Sequence, residues 1–417
     1  MGKPQSYDYV IVGGGVAGVT AAEEIRARDQ HSTILLISQE LEPLYSRVLL
    51  PHYVRRRITR EKLFLREFKQ YELQRITVFT GEEVIAFNPQ LREVTTSRGK
   101  SITYSKLLIA TGGTPIPWQI PGGDNERVLR LQTLSDADRV RDILPLYSKK
   151  EKARAIIVGG GFISLEFLES AVAFGYEVDL VLKEKQYFGD ILDEHGWKML
   201  SEYMRKSGIT FHLISEFRKI TPLEDGQLEV ATTKAELLHG YWIGVGIGIA
   251  GNLEPFRGTG IEVNRGIKVN QFLESSLPNV WAAGDIAEFY DTVFEEHHIV
   301  GNWTNAVLQG KLAGANMAGD HKSLHVVSSY SITSLGLHFT FVGKTDFGPD
   351  AESVVRLWPD EFGYERLFFV GGVLKGALLI NRFQDKPAIA ALIESKKDLT
   401  AVKEALKDPY ADIKTLL

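Results

Sequence analysis

The chain has 417 residues, a length that predicts two or three domains. Hydrophobic residues make up 44% and charged residues 24%, as in ordinary globular proteins, and the net charge of −5 without a basic stripe excludes a general nucleic-acid binder. The chain contains no cysteine, which excludes disulfides, thiolate metal sites, Fe–S ligation and a redox-active cysteine pair.

Location and metal content follow from three simple features. Apolar runs are all too short to cross a bilayer, so we expect no membrane span. The short polar segment 1–6 precedes the first strand and predicts no signal peptide, and we therefore expect a cytoplasmic protein. His297 and His298 are adjacent on what reads as a polar loop, where their side chains point apart, so we predict no metal site.

The first motif is a strand that ends in a glycine-rich turn and passes directly into a helix. Gly13, Gly15 and Gly18 have the spacing G-x-G-x-x-G after an apolar run. Gly13 permits a tight turn, Gly15 lets the backbone approach a pyrophosphate, and Gly18 lets the helix pack closely on the strand. The free N–H groups of the helix, which begins around Val16 and Ala17, face the anion. The motif predicts a dinucleotide phosphate site.

The next strand, residues 33–37, ends where an acidic residue commonly binds the ribose hydroxyls. Ser38 occupies the usual position, and Glu40 is the nearest acid, so both are candidates for the adenosine contact. Arg47 interrupts an apolar segment further along, and from the residues alone it is interpreted as a solvated arginine at a helix start. The basic run Arg55-Arg56-Arg57 is interpreted as an exposed face.

The opening pattern returns after residue 153. Gly159 and Gly161 are followed by Phe162, Ile163 and Ser164, and a helix and a second strand complete a βαβ unit. Ser164 takes the place of the third glycine, which is tolerable because that position serves packing and serine is small. The chain therefore carries a second predicted phosphate turn.

The end of the second strand in this repeat bears on the choice of coenzyme. An acid at the ribose position favours NADH, whereas a base can accept the 2′-phosphate of NADPH. Leu182 stands where the acid is usual, with Lys183 beside it. This favours NADPH or a relaxed choice, and a solvated Lys-Glu-Lys turn is the alternative.

Two further strand ends carry polar or flexible residues. The buried strand 106–109 runs into Ala110, Thr111 and Gly112, and the many prolines and glycines that follow indicate a crossover between domains. A later strand delivers Asp285 at its carboxyl end, where open α/β sheets bind ligands. A buried aspartate that caps the next helix is the alternative for Asp285.

This combination of two phosphate turns, Ala110-Thr111-Gly112 between them and Ala282-Ala283-Gly284-Asp285 after them resembles the two-dinucleotide-domain flavoprotein family. That family includes glutathione-reductase-like enzymes, NADH oxidases and rubredoxin or ferredoxin reductases. Tyr45-Ser46-Arg47 followed by Leu49-Leu50 resembles the branch of NADH:rubredoxin reductases and nitrite-reductase flavin domains. The segments 302–310 and 315–319 resemble the same branch.

The resemblance implies an α/β fold of two Rossmann-like three-layer domains, the second inserted in the first, with a small C-terminal α+β domain. The FAD-binding domain is expected at 1–118 and 248–324, the NAD(P)H-binding domain at 119–247, and the C-terminal domain at 325–417. In this family the last domain commonly forms a dimer or partner surface, which makes a homodimer an expectation here.

The resemblance also implies two sets of cofactor contacts. Val84 would meet the adenine through its backbone, Asp285 would bind ribityl or phosphate oxygens, and Gly248 would mark the strand that returns toward the nicotinamide. The implied FAD set is Gly13, Gly15, Val16, Ala17, Gly18, Ser38, Glu40, Arg47, Val84, Ala110, Thr111, Gly112, Asp285 and Trp303. The implied nicotinamide dinucleotide set is Gly159, Gly161, Phe162, Ile163, Ser164, Lys183 and Gly248.

Arg47 and Glu166 match family positions that meet beside the reactive flavin nitrogen, and the resemblance makes them the implied catalytic pair. A fixed positive charge there stabilises the anionic reduced flavin, and the glutamate orients the cation and the nicotinamide. This implied role replaces the solvated interpretation of Arg47.

The expected reaction is hydride transfer from NADH or NADPH to flavin N5, followed by electron delivery to a rubredoxin- or ferredoxin-type protein. The missing cysteines exclude the disulfide-reductase branch and oxidases that depend on a flavin-side thiol, so electrons must leave the flavin directly. A peroxide-forming NAD(P)H oxidase, a redox-sensing flavoprotein like the apoptosis-inducing flavoproteins, and a subunit of a larger enzyme are the alternatives.

Overall fold

The computed structural model describes residues 5–348 and 350–417. Residues 1–4, which are part of the segment 1–6 from which we predicted that there is no signal peptide, lie outside the described residues. The helices are α1 (Val16–Arg28), α2 (Leu50–Val54), α3 (Phe68–Leu73), α4 (Leu134–Tyr147), α5 (Phe162–Ala173), α6 (Glu194–Lys206), α7 (Trp303–Met317) and α8 (Lys386–Ser395).

The strands are β1 (Gln5–Val12), β2 (Ile34–Ile37), β3 (Ile76–Phe79), β4 (Val84–Asn88), β5 (Glu93–Thr96), β6 (Ser101–Ile109), β7 (Thr114–Pro115), β8 (Val128–Leu129), β9 (Arg154–Val158), β10 (Glu177–Val181), β11 (Ile209–His212), β12 (Phe217–Pro222), β13 (Leu228–Thr232), β14 (Leu237–Gly240), β15 (Trp242–Val245), β16 (Ile249–Ala250), β17 (Ile267–Val269), β18 (Val280–Ala282), β19 (Ala287–Asp291), β20 (Glu296–His298), β21 (Ser329–Ser334), β22 (Leu337–Gly343), β23 (Ser353–Trp358), β24 (Gly363–Val370) and β25 (Val373–Ile380).

The chain divides into two compact units, and each is assembled from three separate segments. The first unit comprises residues 1–48, 60–114 and 249–326, and the second comprises 49–59, 115–248 and 327–417. The short excursion 49–59, which contains α2, belongs with the second unit although it interrupts the first. This excursion was not predicted from the sequence.

The first unit is built on a parallel sheet in the order β3-β2-β1-β6, with β18 paired to the last half of β6. The first half of β6 pairs antiparallel with β5, which continues to β4. Val12 pairs with both Ile37 and Ile109, and Ile109 pairs with Ala282, so four strands end at one level. Parallel strands covered by helices on their faces are buried on both sides, which explains their continuous apolar sequences.

The second unit repeats this plan and adds an antiparallel domain. Its parallel sheet has the order β11-β10-β9-β15-β8, and Val158 pairs with both Val181 and Val245, so three strands again end together. The antiparallel three-stranded sheet β12-β13-β14 is inserted in the chain between β11 and β15 of this parallel sheet. The C-terminal region forms a five-stranded antiparallel sheet in the order β21-β22-β25-β24-β23, with α8 packed against it. The predicted fold class is confirmed.

Candidate dinucleotide sites

The first glycine-rich turn has the geometry that its spacing predicts. Gly13 has φ +123°, and a Cβ on it would lie 2.1 Å from the carbonyl oxygen of Ala110. A Cβ on Gly18 would lie 2.0 Å from the Gly13 carbonyl oxygen, whereas no described atom lies within 4 Å of the Cβ position of Gly15. Helix α1 begins at Val16 with Gly15 at its N-cap, and no described side chain caps its free N–H groups. The turn therefore offers open space and backbone donors to a phosphate.

The common end of the four strands gathers the predicted FAD residues at one edge of the sheet. Ser38 follows β2, and its Oγ lies 2.5 Å from where a Cβ on Gly14 would be. The backbone N–H of Ala110 donates to Val12 at 2.7 Å, and the chain then continues through Thr111 and Gly112. At the other predicted positions, Val84 is the buried first residue of β4, and Trp303 is the first residue of α7.

Asp285 follows β18 at this same edge and lies in mostly buried surroundings. Burial raises the pKa of the Asp285 carboxyl, and the positive charge of Arg47 opposes that rise. The next element is the strand β19, so there is no following helix for Asp285 to cap. The helix-capping alternative is therefore wrong, and the carboxyl remains available to a ligand at the carboxyl ends of the strands.

Two of the predicted FAD-side residues, Glu40 and Arg47, contact each other directly, and Tyr45 joins them. The Arg47 guanidinium lies 2.5 Å from Glu40, and the Tyr45 hydroxyl donates to the other carboxylate oxygen of Glu40 at 2.5 Å. Arg47 also lies over the Tyr45 ring at 5.5 Å. Arg47 is therefore a half-buried, paired cation on a single 3-10 turn rather than a solvated residue at the start of a long helix.

The second turn has the same geometry as the first, but its small residues stand at different positions. Gly159 has φ +111°, and a Cβ on it would lie 2.2 Å from the carbonyl oxygen of Gly246, the counterpart of Ala110. A Cβ on Gly246 would lie 2.7 Å from the backbone nitrogen of Ser164. The first turn thus combines Gly18 with an alanine, and the second combines Ser164 with Gly246. Because Gly246 has no side chain, it leaves room for the Ser164 backbone at the third turn position.

The remaining residues of the second turn open toward a ligand. No described atom lies within 4 Å of the Cβ position of Gly161, and Helix α5 begins at Phe162 and continues through Ile163. The hydroxyl of the fully buried Tyr187 donates to the Gly161 carbonyl at 2.8 Å, and Ser164 Oγ donates to the same oxygen at 2.7 Å. Gly248, with φ +106°, ends the segment after β15.

The ribose position of the second turn is apolar. Leu182 is fully buried, and its Cδ2 lies 3.3 Å from where a Cβ on Gly160 would be, as Ser38 lies against Gly14 in the first turn. Lys183 is 71% exposed, and its ammonium lies 3.8 Å from Glu184. The ribose position therefore carries Leu182 instead of a carboxylate, and the accessible cation Lys183 lies next to it.

Glu166, on the second turn of α5, is held by a cation that the sequence did not indicate. Arg55, which directly follows α2, has a side chain only 2% exposed and places Nη1 2.9 Å from Glu166 and 3.2 Å from Glu169. Burial raises the pKa of Glu166 to about 7, and the charge of Glu169 adds to the rise while Arg55 opposes it. Arg56 and Arg57 are exposed as predicted, but the interpretation of Arg55 as exposed is wrong.

An aromatic cluster lines the Glu166 side of α5. The Phe162 ring packs edge-on against Tyr330 at 4.6 Å and against Phe341 at 5.0 Å. Burial, followed by the charge of Glu166, raises the pKa of Tyr330 to about 12, so this phenol stays protonated and can donate a hydrogen bond. Tyr330 and Phe341, the two partners of Phe162, both belong to the C-terminal sheet.

Arg47 belongs to the first unit and Glu166 to the second, and each has an opposite charge within its own unit. Their predicted meeting beside a flavin stays a prediction. No group of His, Cys, Asp or Glu suited to a metal occurs among the described residues. His297 and His298 lie on β20 rather than on a loop, and His298 pairs with Asp291 at 3.0 Å. Of the helices in residues 5–348 and 350–417, none combines the length and apolarity needed to cross a membrane.

Comparison with known proteins gives matches over almost the whole chain. The assimilatory nitrate reductase electron transfer subunit of Bacillus subtilis is 26% identical over 412 residues, covering 96% of this chain and 51% of that protein. The chain therefore spans about half the length of that relative. The NADH-dependent phenylglyoxylate dehydrogenase subunit epsilon of Aromatoleum evansii is 27% identical over 406 residues, covering 95% of this chain and 93% of that protein.

A solved structure and a family model agree with these relatives. The ferredoxin reductase for the CYP199A2 system from Rhodopseudomonas palustris superposes with a TM-score of 0.88 at 25% identity, covering 98% of this chain and 99% of that one. The family model described as pyridine nucleotide-disulphide oxidoreductase matches residues 7–310. The resemblance drawn from the four motifs is confirmed, and the chain belongs to the pyridine nucleotide-disulphide oxidoreductase family.

Proposed function

We propose that the chain is an FAD-dependent NAD(P)H oxidoreductase that delivers electrons to a small protein carrier of the ferredoxin or rubredoxin type. The observation that carries this proposal is the presence of two glycine-rich turns, each at the carboxyl ends of its own parallel sheet, in a chain without cysteine. Two such turns provide for two dinucleotides, and the missing cysteines remove the usual thiol acceptor.

The first unit fits FAD. The open position at Gly15 and the uncapped N-terminus of α1 suit a pyrophosphate, and the mostly buried Asp285 carboxyl suits the hydroxyl groups of a ribityl chain. The paired cation Arg47 belongs to the same unit and provides positive charge for the isoalloxazine. When bound, FAD supplies the redox chemistry by accepting a hydride at N5 and releasing electrons to the carrier.

The second unit fits NAD(P)H and adds an ionisable group. Gly161 and the N-terminus of α5 offer space and backbone donors to its pyrophosphate. Glu166 lies five residues after Gly161 on the same helix, held by Arg55, where it can orient the nicotinamide end. Leu182 and Lys183 favour a coenzyme with a 2′-phosphate, so we propose that NADPH is used at least as well as NADH.

The carrier is proposed from chemistry and from similarity together. A chain without cysteine has no internal thiol relay, so electrons must leave the flavin directly. The ferredoxin reductase from Rhodopseudomonas palustris matches this chain over its full length. We further propose a cytoplasmic location and a homodimer formed through the C-terminal sheet.

A second candidate is a role as an electron-input subunit of a larger enzyme. The relative that matches at nearly full length is itself the epsilon subunit of a phenylglyoxylate dehydrogenase, and the nitrate reductase relative is an electron transfer subunit. In that case a dedicated partner protein replaces the free carrier, while the half-reaction with NAD(P)H is the same.

The first experiment is anaerobic reduction of the purified FAD-loaded protein by NADH and, separately, by NADPH, followed at the flavin absorbance band. Rapid bleaching supports the proposed reductase, and the faster coenzyme tests the role of Lys183. Ferredoxins and rubredoxins are then added to the reduced protein. If neither coenzyme bleaches the flavin, the proposal fails. Rapid aerobic NAD(P)H consumption without a carrier would instead indicate a peroxide-forming oxidase.

A stable charge-transfer complex with a change in oligomeric state would indicate a redox-sensing flavoprotein. In that case the coenzyme binds and perturbs the flavin without rapid turnover, so the spectrum and the sedimentation profile are recorded on the same sample. A sedimentation profile that does not change when the coenzyme is added, together with rapid turnover, favours the reductase.

A further inference from the structure

The carbonyl oxygen of Gly161, at the N-cap of α5, lies against two buried hydroxyl groups. Tyr187 Oη is 2.8 Å from this oxygen, and Ser164 Oγ is 2.7 Å from it. The two hydroxyls are themselves 2.7 Å apart, so either of them can also donate to the other. Both side chains are fully buried. The three oxygens therefore form a closed triangle behind the second glycine-rich turn.

Two protons serve the three short contacts of this triangle. Each hydroxyl has one proton to donate, and the carbonyl has none. If one hydroxyl donates to the other, the second can give its proton only to Gly161, so the carbonyl receives at least one hydroxyl proton in every arrangement. Burial raises the pKa of the Tyr187 phenol, which therefore keeps its proton. The backbone N–H of Leu165 adds the first helical hydrogen bond to the same oxygen at 3.2 Å.

The first glycine-rich turn is built without such a triangle. Gly15 occupies the same N-cap position on α1, and its carbonyl accepts the helical hydrogen bond from Val19 at 3.0 Å. No side chain in the described part of the chain donates to that oxygen, and Gly18 stands where the second turn has Ser164. The two hydroxyls are thus an addition to the turn and need an explanation of their own.

Tyr187 reaches the turn because the segment that follows β10 is attached to it. The backbone N–H of Phe188 donates to the carbonyl of Gly160 at 3.3 Å. The side-chain amide of Gln186 donates to two backbone carbonyls of the same segment, each at 2.7 Å. The hydroxyl of Tyr187 is therefore held at the turn by its neighbours along the chain.

The orientation of the peptide group between Gly161 and Phe162 decides where its N–H points. The C=O and N–H groups of a trans peptide point in opposite directions. The carbonyl is directed at the buried hydroxyls, so the N–H of Phe162 points away from them, where no described side chain caps the helix. A carbonyl that accepts further hydrogen bonds also polarises its peptide, which makes the N–H a stronger donor.

We propose that Ser164 and Tyr187 are positioning residues for the coenzyme pyrophosphate: their hydroxyls hold the Gly161 carbonyl and thereby direct the Phe162 N–H at the phosphate. This inference rests on the proposed function in requiring that the second unit binds NAD(P)H. Neither hydroxyl contacts the coenzyme itself. NADH and NADPH share the pyrophosphate, so both should be affected equally, in contrast to the effect expected of Lys183.

Three variants test whether the two hydroxyls act on one carbonyl. Tyr187→Phe and Ser164→Ala each remove one hydroxyl and leave the other free to donate to Gly161, whereas the double variant removes both. ADP-ribose is the probe, because it contains the pyrophosphate but has no nicotinamide and cannot reduce the flavin. Its dissociation constant is measured by calorimetry on the FAD-loaded protein, and the unfolding midpoint is measured on the same samples.

Each single variant should raise the dissociation constant of ADP-ribose by no more than about twofold, and the double variant should raise it about tenfold. The double effect exceeds the product of the single effects, because one remaining hydroxyl can still serve the carbonyl. KM for NADH and KM for NADPH should rise by the same factor in the double variant, while the maximal rate of anaerobic flavin reduction stays unchanged.

Tyr176→Phe is the matched control, since Tyr176 is a buried tyrosine of the same unit whose hydroxyl donates to the carbonyl of Leu144, on α4. We expect it to lower the unfolding midpoint and to leave the dissociation constant of ADP-ribose unchanged. The inference is overturned if the double variant binds ADP-ribose like the wild type, if its effect equals the product of the single effects, or if the control weakens binding as much. If the wild-type protein binds neither ADP-ribose nor a coenzyme, the proposed function fails instead.

Discussion

Arg55 Nη1 and Glu166 Oε2 lie 2.9 Å apart, although 111 positions separate the two residues in the chain. The arginine side chain is almost inaccessible and also contacts Glu169, one turn along the same helix. A buried cation shared by two carboxylates compensates charges that the surrounding low-dielectric environment would otherwise disfavour. The excursion 49–59 therefore supplies the cation that neutralises two carboxylates of α5.

Replacement of Arg55 should be costly for folding. We expect Arg55→Gln to lower the free energy of unfolding by about 3 kcal/mol, because it leaves two carboxylates buried without their cation. Arg57→Gln is the control, since Arg57 is 53% exposed and contacts only the outer oxygen of Glu169, and should cost less than about 1 kcal/mol. Urea unfolding at pH 7.5 measures both values, and equal losses would contradict the role given to Arg55.

Glu166 should make stability depend on pH near neutrality. The pKa of Glu166 is raised from 4.5 to about 7 in the folded protein. The folded state therefore holds a proton that the unfolded chain releases, so this contribution to stability is full below pH 4.5 and is lost as the pH rises through 7. We expect the decline in unfolding free energy between pH 5 and pH 8 to be smaller in Glu166→Gln. A pH profile parallel to that of the wild type would contradict this.

The same substitution should affect the reductive half-reaction. If Glu166 orients the nicotinamide, the rate of anaerobic flavin reduction in the wild type should change with an apparent pKa near 7, and that dependence should disappear in Glu166→Gln. Stopped-flow reduction across pH 6 to 8.5 measures it. Retention of the transition in the variant would assign it to another group.

Two glycines of the second turn should separate coenzyme binding from stability. Gly161 has open space at its Cβ position, so Gly161→Ala should fold normally but weaken NAD(P)H binding about tenfold by blocking the approach of the pyrophosphate. Gly246→Ala would bring a methyl group within 2.7 Å of the Ser164 nitrogen, and should lower stability by about 1–3 kcal/mol. Calorimetric titration measures coenzyme binding, and thermal unfolding measures stability, in both variants. The prediction is contradicted if Gly161→Ala loses stability while Gly246→Ala loses only coenzyme affinity.

Replacement of Lys183 should raise KM for NADPH more than KM for NADH. Loss of one exposed charge contact to a 2′-phosphate is expected to raise KM for NADPH about fivefold in Lys183→Ala, with KM for NADH nearly unchanged. Lys185→Ala, a second exposed lysine that lies 3.7 Å from Asp190, serves as the control. Leu182→Glu should shift preference toward NADH by supplying a carboxylate at the ribose position. Equal changes for both coenzymes would contradict the assignment.

Local patterns predicted the parts of this fold that depend on short-range geometry. The two glycine-rich turns, their strands and the strand that delivers Asp285 were all visible because tight turns and buried parallel strands constrain neighbouring residues. The exchange of small residues between Ser164 and Gly246 was not visible, since it joins positions 82 residues apart that meet only through the register of β9 and β15.

Charged residues were harder to place than glycines. Arg55, Arg56 and Arg57 form one uniform run in the sequence, yet only Arg55 is buried, where it contacts both Glu166 and Glu169 of α5, whereas the exposed Arg57 contacts Glu169 alone. Burial of a polar side chain depends on partners from distant segments, which composition and periodicity do not report.

The excursion 49–59 limits how this chain can be recombined with its relatives. A chimera that exchanged only residues 115–248 would import a new α5 while retaining the host's α2, and so would combine a Glu166 equivalent with a cation selected for a different partner. A compatible exchange must carry the eleven-residue segment along with the larger one. An exchange that is meant to transfer coenzyme specificity must therefore include α2 and Arg55. These residues lie more than a hundred positions before α5, the helix whose carboxylates Arg55 neutralises.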